Sequence, residues 1–157
     1  MGFSMNVLLI VSALDLTNLF GESSSLRSEG VLDAVRGLAT AVNDSDGILI
    51  AVENQNVIQA ITPHLLPSRL RIIQRGAEPV LANVSVAVLI GGGTEEIVLA
   101  RRIRNARIRV IPVASTGLAP IDLLVEMETN DEISKPNVVE LLSNTDYPAL
   151  FKRLLSS

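Results

Sequence analysis

Short apolar runs of five residues recur along the chain, and each breaks abruptly into polar residues or glycine. Val7-Leu8-Leu9-Ile10-Val11 ends at Ser12, Ile48-Leu49-Ile50-Ala51-Val52 ends at Glu53-Asn54-Gln55, and Val86-Ala87-Val88-Leu89-Ile90 ends at Gly91-Gly92-Gly93. Their length and β-branched content read as strands, and their lack of a polar face reads as burial on both sides, the condition of a parallel sheet. Composition agrees: the 157 residues are 48% hydrophobic but only 3% aromatic, so the core is built from Val, Ile, Leu and Ala. A chain of this length fits one domain with a substantial core of its own.

Between the runs the periodicity changes to helical. After a polar connection over 15–25, Val31, Val35, Leu38 and Val42 recur at the spacing of one helix face, with Gly30 and Gly37 read as points of close packing on the sheet. Asn43 to Gly47 is a turn. A short helix through Val57, Ile58 and Ile61 precedes a third strand at Leu70-Arg71-Ile72-Ile73. The helix after Gly93 carries Ile97, Ala100 and Ile103 on one side and runs to about Asn105. A fifth strand covers Val110-Ile111-Pro112-Val113, where Pro112 suits a strand end or a bulge. Another helix follows Pro120, and Ser134-Lys135-Pro136 and Asp146-Tyr147-Pro148 each open a further one. The expected architecture is a Rossmann-like, doubly wound α/β fold: a mostly parallel sheet of about five strands flanked by helices. Residues 1–128 form this domain, with 129–157 as its C-terminal helical extension.

Several classes of function are disfavoured. Without cysteine there are no disulfides, thiolate metal sites or cysteine nucleophiles, and a reducing compartment is the default. A net charge of −4 argues against a broad nucleic-acid surface. No segment reaches the roughly 18 consecutive apolar residues of a membrane span. The apolar start lacks the basic leading region of a signal peptide, and Asn6 stands where a myristoylation signal needs Ser or Thr. The expectation is a soluble, cytoplasmic protein. The one histidine, His64, lies between Pro63 and Leu65 with no carboxylate–histidine spacing around it, so neither a metal nor a cofactor is expected.

Candidate chemistry gathers at the strand exits, where ligands bind in such sheets. They are Ser12, the Gly91-Gly92-Gly93-Thr94 turn, and Ser115-Thr116-Gly117. A glycine-rich turn opening a helix holds phosphate or ribose through its backbone, or is simply a tight turn with close helix–sheet packing. Glu96, with Glu95 second, is the carboxylate a glycosidic hydrolase needs to orient ribose hydroxyls or water. Alternatively, both acids occupy the first helical turn because the macrodipole favours them. Arg101, Arg102 and Arg104 further along form a solvated face or ion pairs, or Arg101 reaches back to a phosphate. Leu150, Phe151, Leu154 and Leu155 make an apolar stripe that covers the sheet edge or pairs subunits.

Two of these stretches carry a family resemblance. Ile90-Gly91-Gly92-Gly93-Thr94-Glu95-Glu96 resembles a contracted form of the proline-glycine-glycine, glycine-threonine, glutamate signature of LOG-like, lysine-decarboxylase-related proteins. Val110 to Ala119 resembles the strand and turn of SLOG domains associated with sirtuin and TIR effectors. The resemblance spans Ser85 to about Val125. It implies a Rossmann-like fold that binds a nucleotide or nucleotide-derived signal, with pairing into homo-oligomers. In related enzymes it implies cleavage of the N-glycosidic bond of a nucleoside monophosphate, or deoxyribosyl transfer. The sequence departs from the pattern: Val11-Ser12-Ala13 replaces a glycine-serine exit, Ile90 replaces proline, and Ile97 occupies the position of the enzymes' glutamate. These departures weigh toward a sensing domain over an enzyme. An interaction scaffold with a vestigial crevice is a third reading.

Overall fold

The computed structural model describes residues 5–11, 21–74, 77 and 79–156; within the first helix, side chains are described from Glu29 onward. In chain order the elements are β1 (Asn6–Val11), α1 (Gly21–Asp44), β2 (Ile48–Val52), α2 (Gln55–Ile61), β3 (Leu70–Ile73), β4 (Val86–Ile90), α3 (Thr94–Asn105), β5 (Arg109–Val113), α4 (Leu118–Thr129), α5 (Lys135–Ser143) and α6 (Tyr147–Ser156). The strands form one sheet of five, order β3-β2-β1-β4-β5, and every neighbouring pair is parallel. This is the Rossmann-like doubly wound arrangement.

Alternation along the strands explains the two faces. Successive side chains point to opposite sides of a sheet. Val7, Leu9, Leu49, Ala51, Val86, Val88, Ile90, Ile111 and Val113 pack on one face with α1, α2 and α6. Leu8, Ile10, Ile50, Ala87, Leu89 and Val110 pack on the other with α3 and α4. All five residues of β4 are buried, as the apolar run requires. Ile133, between α4 and α5, packs against both clusters, so this segment carries the chain past β5 from one face to the other.

Three local expectations change. Gly21 to Ser25, read as part of a polar loop, lie in the first turns of α1. Serine disfavours helix by only about half a kcal/mol per residue, which a long helix tolerates once nucleated. Pro112 is the last but one residue of β5 and makes no bulge, because the β4–β5 register runs unbroken from Val86↔Arg109 to Ile90↔Val113. It is tolerated because β5 is the edge strand, with no neighbouring strand on its outer side among the described residues to miss the donor.

The third change concerns Gly37, which packs on α6 rather than on the sheet. A Cβ at Gly37 would lie 2.4 Å from the Tyr147 Cβ and 2.9 Å from the Tyr147 carbonyl carbon. Only glycine allows the two helices to come this close. The apolar stripe of α6 is used in the same contact. Leu150, Phe151, Leu154 and Leu155 are all buried within the chain, so the stripe is not available to pair subunits.

Candidate functional site

Strand order reverses between β1 and β4. At such a point the loops leaving neighbouring strands diverge to opposite faces and open a crevice above the carboxyl edge. Here α1 follows β1 on one face and α3 follows β4 on the other. Ser12, the first residue beyond β1, lies outside the described residues. At the exit of β2, Asn54 is occupied as a helix cap, its Oδ1 accepting from the Asn56 and Val57 amides at 3.0 and 3.2 Å.

The glycine triplet is closed on itself. Gly91 and Gly92 have φ of 60° and 98°, backbone that side chains other than glycine's seldom adopt. Gly93 precedes the first turn of α3, and Glu96 folds back so that its Oε1 accepts from the Gly93 amide at 2.8 Å. This is one half of a capping box; glycine has no side chain to supply the other. Glu96 also lies over Gly92, where an added Cβ would come within 2.8 Å of its Cβ. Gly93, Thr94 and Glu95 are exposed.

The turn after β5 meets this loop through one hydroxyl. Thr116, 5% exposed, donates from Oγ1 to the Val113 carbonyl at 2.6 Å and accepts from the Gly91 amide at 2.8 Å. The two stretches that carry the family resemblance are thus in contact, with Thr116 as the clamp. Its single proton is committed inside the protein.

Beside the clamp a cleft of about 400 Å³ opens on the carboxyl edge, lined by Gly30 from α1, Ala114 to Gly117, and Leu118 and Ile121 from α4. Small-molecule sites commonly occupy about 300–1,000 Å³. Ser115 is exposed here, and its Oγ lies 2.9 Å from the phenolic oxygen of Tyr147, itself buried at the start of α6. Of the residues singled out from sequence, Ser115, Thr116 and Gly117 line the cleft. Gly91 adjoins it through Thr116, and Glu96 is engaged within its own loop.

Sequence reasoning missed Gly30, Leu118, Ile121 and Tyr147. Gly30 was visible only as a weak point in a helix and was read as packing. Instead, a Cβ added there would meet no described atom within 4 Å. Nothing in the sequence brings Tyr147 beside Ser115, because that pairing depends on α6 returning to the α1 face.

Two arginines of α3, Arg101 and Arg104, pair across to Glu126 of α4. Arg101 and Arg104 each reach Glu126 at 3.0 Å, and Arg104 approaches Glu132 at 3.7 Å. Burial works against charge on Glu126, but the hydrogen bonds from Arg101 and Arg104 outweigh it and hold its carboxyl below the usual value. His64 is exposed in the turn after α2. Among the described residues, no group of three or more His, Cys, Asp or Glu side chains could hold a metal ion, and no helix is long and apolar enough to cross a membrane.

Fold and cleft define a doubly wound α/β protein with an open cleft at the exit of its edge strand β5. No protein-family model matches the chain, and no curated protein matches it.

Proposed function

We propose that the chain is a SLOG-like ligand-binding domain that takes a nucleotide or nucleotide-derived small molecule at its carboxyl edge. One observation carries this reading: a cleft of about 400 Å³ opens at the exit of β5, against α1, with Ser115 exposed in its wall. Gly30 and Gly117 on its walls let a ligand approach the backbone closely. Thr116 ties the cleft wall to the glycine loop, so a ligand touching one stiffens the other.

Binding is favoured over catalysis by the state of Glu96. A glycosidic hydrolase needs its carboxylate turned toward ribose or water. Glu96 instead accepts from the Gly93 amide and is not among the residues lining the cleft. The test is a thermal-shift panel of nucleosides, nucleoside monophosphates, free bases and cyclic nucleotides derived from NAD, with chromatography of each mixture for released base. The expected result is a rise in melting temperature with at least one nucleotide and no turnover. Release of base that Glu96→Gln abolishes would make the protein an N-glycosidase. No shift with any member, and no base released, would leave an interaction scaffold.

A further inference from the structure

We infer that the cleft receives an uncharged planar ring, a nucleobase or similar heterocycle, laid over the bare backbone of α1 at Gly30 with its edge on the Ser115 hydroxyl. This deepens the ligand-binding reading and rests on it. The starting point is a glycine with no evident structural reason. Gly30 lies inside the helix Gly21–Asp44, where glycine is a poor helix former. Its φ is not positive, and a Cβ would meet no described atom within 4 Å. Gly37, two turns further along, shows what a packing glycine looks like on the same helix, since a Cβ there would collide with Tyr147. Among the described residues space is kept open at Gly30, and Gly30 lines the cleft.

The other wall fits the same occupant. Leu118 and Ile121 stand one turn apart on α4 and so share a helix face. Leu118 is 69% exposed, a large apolar side chain at the mouth of the cleft, and Ile121 is half-buried behind it. Aliphatic side chains and a stretch of helix backbone bare of a side chain, in one cleft, suit a ring face. The polar group supplied by a described side chain at the rim is Ser115. When Tyr147 donates its proton to Ser115, the serine keeps its own proton to offer a ring nitrogen or carbonyl. A flat heterocycle has this combination of an apolar face and a hydrogen-bonding edge.

The proposal is tested by titration calorimetry of wild type, Gly30→Leu and Leu118→Ser with the four common ribonucleosides and their 5′-monophosphates. Wild type binds at least one nucleoside and its monophosphate. Gly30→Leu, which gains a good helix former, melts at or above the wild-type temperature and loses affinity for both at least tenfold. Leu118→Ser, at an exposed position, keeps its melting temperature and loses affinity severalfold. If Gly30→Leu binds a monophosphate as tightly as wild type does, nucleotide binding stands and the ring lies elsewhere. Binding of none of the eight probes by wild type overturns this placement, whereas the ligand-binding reading falls only if the wider thermal-shift panel also gives no response.

Discussion

Gly30 and Gly37 stand two turns apart on one helix and do opposite things. At Gly37 the missing side chain lets α6 come into contact with α1, closing the core. At Gly30 the missing side chain leaves a place that no described atom fills, in the lining of the carboxyl-edge cleft. One glycine removes a volume that α6 then fills, and the other removes a volume that no described residue fills. Both break the same helix-propensity rule, and only the neighbours supplied by tertiary structure distinguish them.

The sharpest break of that comparison is Gly37→Ala. One methyl group forced against Tyr147 Cβ and backbone is overpacking with nowhere to relax, and the expected loss is about 3 kcal/mol in chemical denaturation. A null effect would mean that α1 and α6 are not in contact as described. Gly92→Ala comes next, since it meets both a positive φ and the Glu96 side chain; about 2 kcal/mol should be lost. Tyr147→Phe removes the phenolic partner of Ser115 while keeping the ring against Phe151, with an expected cost of about 1 kcal/mol. Gly30→Ala should act in the opposite direction and stabilise the free protein by about 0.5–1 kcal/mol, because it improves the helix and touches no described atom. Destabilisation there would remove the contrast with Gly37.

The smallest effect lies across the sheet, where α3 and α4 are held by partly exposed ion pairs. The carboxyl of Glu126 has its affinity for protons lowered in the folded state. Its contribution is therefore fully present above the unfolded carboxylate range, about pH 4, and is lost as pH falls through the lower folded value. Wild type should be slightly more stable than Glu126→Gln near neutrality, and the two should converge in acid. Solvent screening keeps the difference small, because Glu126 is 31% exposed. A gap that widens as pH falls would contradict the sign.

The sheet was legible in sequence because a strand buried on both faces must be apolar throughout. Runs such as 86–90 satisfy that requirement without help from elsewhere. The helix starts at Lys135 and Tyr147 were legible for a similar local reason, since each is followed by proline in the first turn. What the sequence left hidden depends on partners distant along the chain. Thr116 could be named as a polar residue at a strand exit, but not as the clamp on Gly91, 25 residues away. The α6 stripe was equally compatible with a subunit contact until α1 was seen to cover it. Glu96 could be read as a first-turn acid favoured by the helix dipole or as a catalytic carboxylate, and its bond from the Gly93 amide was in neither reading.

The central claim is that the carboxyl-edge cleft is a ligand site. It is tested most directly by following the backbone amide resonances of the wild-type protein as the most stabilising nucleotide of the panel is added. The account predicts saturable shifts centred on Gly30, Ser115, Gly117 and Ile121, with Gly91 following through Thr116. Shifts centred instead on the exposed α3–α4 face around Arg101 and Glu126, or on the β3 edge, would contradict it.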